Sequence, residues 1–349
     1  MNLFLKEILE QPGAVEALTA FYESPEGLNL LGTAKRIINQ TKPDQVIFTG
    51  MGSSYFVAHA ASTLFNGLSI KAFYLNTSEL LHYNLSLLDH KTLLVCISQS
   101  GESYEIKALL NRLKGNAQCI GIVNEEASTL ARMSEPALFC KAGNEKMTST
   151  KTYVGTSLVS FILGWFLGGR LEEKQPGLKS LSVGFKSFIV NWELQIGEII
   201  TFLGDISTLQ VIARGPSFST ACQSALMFKE ALHIPATGIL GGEFRHGPME
   251  MVDERFRSIL FAAKGTTLSQ SLKMAEDIAG YGGKVLLITN DNPAPKNQRI
   301  RVLHIDQPDE YLFSVEAILP VQLFVDLYAK SKGFEAGSFS RGAKVTSIE

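Results

Sequence analysis

Leu93-Leu94-Val95-Cys96-Ile97-Ser98-Gln99-Ser100-Gly101-Glu102-Ser103 joins an unbroken apolar run to a loop of small hydroxyl residues around one glycine. A short apolar run bounded by turn residues reads as a strand covered on both faces, the texture of a parallel sheet. Similar β-rich runs lie at 45–48, 119–123 and 137–140, each separated from the next by a helix-length segment. That alternation predicts parallel strands joined by crossover helices. Ligands of open parallel sheets bind beyond the carboxyl ends of the strands, so the loops after the strands are where chemistry belongs.

The series returns further along the chain, at 209–213, 258–262, 285–289 and 302–305. Gly52 matches Gly215, Gly101 matches Gly265, Asn124 matches Asn290, and Phe139 falls opposite Leu303 or His304, a nearly constant displacement of about 165 residues. The chain therefore reads as an internal duplication: an α/β protein of two tandem doubly wound parallel-sheet domains, each a flavodoxin-like sandwich. The expected organisation is an N-terminal helical segment at 1–44, a first domain at 45–170 and a linker helix at 171–205. A second domain at 206–335 and a tail at 336–349 follow. Leu3, Leu5, Ile8 and Leu9 carry the helical spacing at the start, until Gln11-Pro12 interrupts it.

Composition agrees with a folded chain and removes several function classes. Hydrophobic residues make up 45% and charged residues 19% of the 349 positions, against the profile of a disordered or coiled-coil protein. Lys and Arg number 32 and Asp and Glu 34, so no overall basic field holds nucleic acid or an anionic membrane. The four cysteines, Cys96, Cys119, Cys140 and Cys222, form no Cys-x-x-Cys pair, which points away from a disulfide framework or zinc ribbon. The start carries no basic region followed by a long apolar stretch, so the expected compartment is the cytoplasm. The uncharged run 152–169 holds four glycines and several hydroxyl residues, and is read as a buried helix, not a membrane span.

Two loops of the first half suit an anion. Thr49-Gly50-Met51-Gly52-Ser53-Ser54 follows the first strand and Ser98–Ser103 the strand quoted above, each leading into a helix N-terminus whose unpaired N–H groups favour negative charge. Ser98, Ser100 and Ser103 add hydroxyl donors, Gln99 an amide, and Gly101 close backbone approach; a phosphate fits. Either loop alone is also compatible with ordinary helix capping. Gly50-Met51-Gly52-Ser53-Ser54-Tyr55 lacks the last glycine of the dinucleotide fingerprint and there is no Walker A sequence, so no nucleotide cofactor is expected. The matching loop of the second half, Ala262-Ala263-Lys264-Gly265-Thr266-Thr267, has lost the serines, and the two halves are not expected to carry equivalent sites.

The second half instead collects titratable groups: Lys229-Glu230, His233, and Glu243-Phe244-Arg245-His246-Gly247-Pro248-Met249-Glu250. A Glu and a His at one apolar cleft suit proton transfer, while a solvated Glu and a structural His remain the plain alternatives. His233, before Ile-Pro, is read as structural. No His-Glu-x-x-His, other metal-ligand spacing or Gly-x-Ser-x-Gly elbow occurs, so neither metal nor nucleophilic serine is expected.

Taken in order, these pieces resemble the SIS (sugar isomerase) family, and within it the isomerase half of glucosamine-6-phosphate synthase and its stand-alone bacterial relatives. The resemblance runs from Lys6-Glu7-Ile8-Leu9-Glu10-Gln11-Pro12 through the two serine loops, Ala142-Gly143-Asn144-Glu145, Ser149-Thr150-Lys151 and Glu243–Pro248 to the last seven residues, Ala343–Glu349. It implies that Ser54, Ser98, Gln99, Ser100 and Ser103 hold a sugar phosphate, with Ser53 near the sugar hydroxyls. It implies that Glu230 moves a proton between C1 and C2 and that His246 opens the sugar ring from a neighbouring protomer, hence a homodimer. The tail Lys344 would form a Schiff base with the open-chain ketose, with Ala343 at its side. The partner implied is a phosphorylated sugar or amino sugar, without cofactor, nucleic acid or membrane.

The sequence departs from the family pattern in two places. Met227 stands where the family's isomerase has a lysine three residues before the catalytic Glu, which removes a cation beside the base. No amidotransferase domain or N-terminal nucleophilic cysteine precedes the isomerase-like part, so glutamine is not expected as the ammonia source in cis. The expected activity is that of a phosphosugar isomerase or deaminase, first of all glucosamine 6-phosphate to fructose 6-phosphate and ammonia. The alternatives are a deglycase for fructoselysine-type 6-phosphates, a ketose/aldose isomerase, and a phosphosugar-sensing regulator. The region before the first strand is not basic and lacks a helix-turn-helix pattern, which weighs against the last.

Overall fold

The computed structural model describes residues 1–113, 115, 117–337, 344 and 345. It divides into two compact units, one of residues 10–179 joined by Lys344 and Val345, the other of residues 1–9 and 180–337.

The chain opens with α1 (Leu3–Leu9), which belongs with the second unit, and continues through α2 (Gln11–Glu23) and α3 (Pro25–Thr41). Pro12 sits in the first turn of α2, where its missing N–H costs nothing, so the interruption read in the sequence is a helix restart. The first unit then runs β1 (Gln45–Gly50), α4 (Ser53–Gly67), β2 (Ala72–Asn76), α5 (Thr77–Tyr83), β3 (Thr92–Ser98), α6 (Tyr104–Leu113), β4 (Gln118–Val123), α7 (Thr129–Met133), β5 (Ala137–Phe139) and α8 (Lys151–Leu167). All five strands are parallel, in the order β2-β1-β3-β4-β5. This is the doubly wound, flavodoxin-like order, with its switch point between β1 and β3. Strand β3 is buried along its whole length, as a central strand with helices on both faces must be. The uncharged run seen in the sequence is α8, buried continuously from Lys151 to Trp165.

After α9 (Leu171–Val190) and α10 (Trp192–Leu203), the second unit repeats the plan: β6 (Leu209–Ala213), α11 (Ser217–Ala231), β7 (Ala236–Leu240), α12 (Gly241–Arg245), β8 (Arg257–Ala262), α13 (Leu268–Gly280), β9 (Lys284–Thr289), β10 (Ile300–His304), α14 (Glu310–Glu316) and α15 (Ile318–Ser331). Its order, β10-β9-β8-β6-β7, is the first sheet's order written backwards, again all parallel. The segment Glu310–Ser331 is long and apolar enough to cross a membrane, yet 94% of its apolar window is buried, and α15 packs on α1, α10 and α11 as a core helix.

Two strands go beyond the sequence reading, β2 and β7. They occupy the same edge of their respective sheets, next to β1 and β6, and share a burial pattern with only the first residue buried. A half-exposed edge strand needs no continuous apolar run, so neither carries the signal that identified the others.

Candidate active-site segments

Strands β1 and β3 pair in parallel, with Thr49 opposite Cys96, so the two serine loops leave the same edge of the sheet side by side. The first turns through Gly52, whose φ of 51° and ψ of −124° suit glycine alone, and delivers Ser53 and Ser54 to the first turn of α4. In the second, Gly101 has φ 64°, and a Cβ there would lie 2.3 Å from Ser128 Oγ. Any side chain at Gly101 would force the loop away from α7.

The hydroxyls are set by their own backbone. Ser98 Oγ accepts from Gly101 N at 3.0 Å and Ser100 Oγ from Glu102 N at 3.2 Å. Each hydroxyl thus uses a lone pair on the loop, and its O–H is not spent in these bonds. Ser98 is buried, whereas Ser53, Ser54, Gln99, Ser100 and Ser103 are half-buried. The loop is tied to the next connection: Asn124 N donates to Gln99 O and Leu130 N to Gly101 O, both at 3.1 Å. Glu102 Oε1 accepts from Thr129 N at the start of α7, and this bond, ahead of Lys107 and Arg132, holds its carboxyl below the usual range.

Lys344 lies in this same unit. Its ammonium donates to Glu145 Oε2 at 2.5 Å and to the Met147 carbonyl. Glu145 stands in the connection from β5 to α8, and its carboxyl is held below the usual carboxylate range: burial alone would raise it, and the Lys344 charge and the donors at the start of α8 outweigh burial. Beside it, the buried Lys151 donates to Glu10 Oε2 at 2.7 Å and to Asn144 O at 2.9 Å. The sequence reading quoted Glu145 and Lys151 only as parts of a resemblance and gave them no role. An acidic residue shortly before a hydroxyl-rich helix start was the available signal.

Glu230 and His246 belong to the second unit. Glu230 is half-buried in the last turn of α11, one turn beyond the fully buried Met227. His246 caps the C-terminal end of α12 with an exposed side chain, its N–H bonded to Glu243 O. His233 is exposed with φ 56°. Of the residues singled out in the sequence, the structure gathers Ser53, Ser54, Ser98, Gln99, Ser100, Ser103 and Lys344 in one unit and Glu230 and His246 in the other. Ala343 lies outside the described residues.

In the second sheet the corresponding loops have different surroundings. Gly215 and Gly265 stand where the first unit has Gly52 and Gly101, and the Glu310 carboxylate sits against both. Its Oε1 lies 3.3 Å from where a Cβ would sit on Gly215, and its Oε2 3.1 Å from the corresponding point on Gly265. Burial, then Asp309, raises the Glu310 carboxyl. The space beside these two glycines thus holds a side chain of the protein itself. Among the described residues, no group of three or more His, Cys, Asp or Glu is placed to hold a metal ion.

The SIS domain family matches residues 40–163 and 203–329, and the chain belongs to that family. Among curated proteins it is similar to glutamine–fructose-6-phosphate aminotransferase (isomerizing) of Pyrococcus horikoshii, 29% identical over 362 aligned positions that cover 100% of this chain and 58% of the relative. The chain thus spans under three fifths of the length of that protein. Two solved structures share the fold. The C-terminal domain of glucosamine-fructose-6-phosphate aminotransferase from Francisella tularensis aligns with a TM-score of 0.86 at 24% identity, over 97% of this chain and 98% of that one. Glucosamine-6-phosphate deaminase from Thermotoga maritima aligns with a TM-score of 0.77 at 22% identity, over 99% and 100%.

Proposed function

We propose that this protein is a phosphosugar enzyme that moves a proton between C1 and C2 of an amino-sugar 6-phosphate, converting glucosamine 6-phosphate and water to fructose 6-phosphate and ammonia. The observation that supports the reading is the pair of serine loops side by side at the β1/β3 switch point, with the Ser98 and Ser100 hydroxyls pinned by the backbone of their own loop. In this reading Ser54, Ser98, Gln99, Ser100 and Ser103 hold the 6-phosphate and Ser53 lies near the sugar hydroxyls.

His246, from the partner protomer of a homodimer, opens the pyranose ring. Glu230 then takes the C2 proton of the open-chain aldose and returns it to C1, which leaves the 2-imine of fructose 6-phosphate. The Lys344 amine adds to C2 of this imine and expels ammonia, and addition of water to the lysine imine so formed gives fructose 6-phosphate and returns the lysine. The buried Met227, apolar where the family has a lysine, favours a second reading, in which the substrate is a fructosamine 6-phosphate: Glu230 moves the proton from C1 to C2, and water adds to the resulting C1 imine to release the amine from C1.

The test is release of ammonia and fructose 6-phosphate from glucosamine 6-phosphate, with Glu230→Gln alongside. Equimolar release that falls about 10³-fold in the variant, with phosphosugar binding retained, is the expected result. Binding without release from glucosamine 6-phosphate, but with release from fructoselysine 6-phosphate, selects the second reading. No binding of either sugar phosphate rejects both.

A further inference from the structure

Glu145 is completely buried, with no exposure of its side chain, and yet it is ionised. A carboxylate in that position needs every lone pair engaged. Oε1 accepts from Thr150 N at 2.9 Å, Thr150 Oγ1 at 3.1 Å and Thr152 N at 3.0 Å. Oε2 accepts from Thr152 Oγ1 at 2.5 Å and from Lys344 Nζ at 2.5 Å. Four of these five donors come from the first turn of α8 and its cap, so the carboxylate is fixed before the lysine arrives. The fifth comes from 199 residues away in sequence. The other lysine of this connection, Lys151, is committed to Glu10 and Asn144 O.

We propose that Glu145 is the positioning residue for Lys344: a prebuilt anionic socket that, with the Met147 carbonyl, docks the C-terminal lysine onto the β5–α8 connection of the unit that bears the serine loops. The inference deepens the function proposed above, in which Lys344 acts on the ketose carbon, and it rests on that reading only for what the docking serves. Glu145 is not itself an acid or base for substrate, because it is wholly enclosed and its oxygens are already filled. It fixes where the amine waits, and the geometry requires Lys344 to leave the socket before its nitrogen attacks a carbonyl.

The socket is tested on the intact protein without any sugar, by acylation with an N-hydroxysuccinimide ester and peptide mass spectrometry. Lys344 should react about tenfold more slowly than the exposed Lys42 in the wild type. In Glu145→Gln it should approach the Lys42 rate, with Glu145→Asp in between and the buried Lys151 protected throughout. Wild-type Lys344 reacting like Lys42, or no change in Glu145→Gln while Lys151 stays protected, overturns the proposal. Should Glu145→Gln expose Lys151 as well, its fold has failed and Lys344→Met decides: the ¹³C-observed Glu145 carboxyl should titrate at higher pH than in the wild type, and an unmoved titration overturns the socket. Where turnover of a phosphosugar is present, Glu145→Gln should lower kcat about tenfold with KM within about twofold, and Glu145→Asp should recover part of it. A wild type inactive on every phosphosugar defeats the functional reading alone; the labelling still decides the socket.

Discussion

Glu316, at the end of α14, is a second buried carboxyl with the opposite behaviour. Oε1 lies 2.1 Å from where a Cβ would sit on Gly184, a space only glycine leaves open, and Oε2 accepts from Gln307 Nε2 at 3.3 Å. With no cation among these neighbours, burial pushes the carboxyl up to about 8. The unfolded chain ionises near the ordinary glutamate value of about 4.3, so between there and about 8 the folded state binds more protons. Stability therefore falls as pH rises through that window, by at most about 1.4 kcal/mol per unit, and is level above it. Glu316→Gln, which keeps size and hydrogen-bonding ability, should raise the melting temperature more at pH 8 than at pH 5. An equal difference at both pH values would mean that the carboxyl is ionised in the fold. Nothing in the sequence separates Glu316, Glu145 and an exposed glutamate, because burial and the nearest charge are set by neighbours far along the chain.

At the scale of the element, the serine loop depends on the short helix behind it. Ser128 Oγ caps α7 by accepting from Ala131 N at 3.2 Å and also fills the space against Gly101. Ser128→Ala should cost about 1 kcal/mol in a urea titration, the usual worth of such a cap, and weaken phosphosugar binding several-fold by calorimetry. Lost stability with unchanged affinity would separate the cap from the loop. Eight of the ten strands among the described residues were legible as apolar runs, because a strand covered on both faces has no polar alternation to blur it. Edge strands β2 and β7 were not, and the cap at Ser128 was not, since its partner in space is a glycine 27 positions earlier whose need for room shows only when α7 lies against it.

At the scale of the molecule, one strand order serves both halves but the loops that follow the strands differ. The second half has Ala262, Ala263 and Lys264 where the first has Ser98, Gln99 and Ser100, and has placed Glu310 against Gly215 and Gly265. A calorimetric titration with a sugar phosphate should therefore give one site per chain. A stoichiometry of two would show that the second sheet binds despite the carboxylate.

The sequence by itself determined the duplication, the parallel sheets, the glycine turns and the serine loops, because each is written in residues adjacent along the chain: apolar runs, helix-length spacers, and small residues where the backbone must turn. Only the tertiary structure decided that Lys344 is held by Glu145, that Glu310 occupies the second loop pair, and which carboxyls are ionised. Those are pairings of distant residues, and their partners and local polarity come from how the chain is routed through the two sheets, which no local pattern specifies.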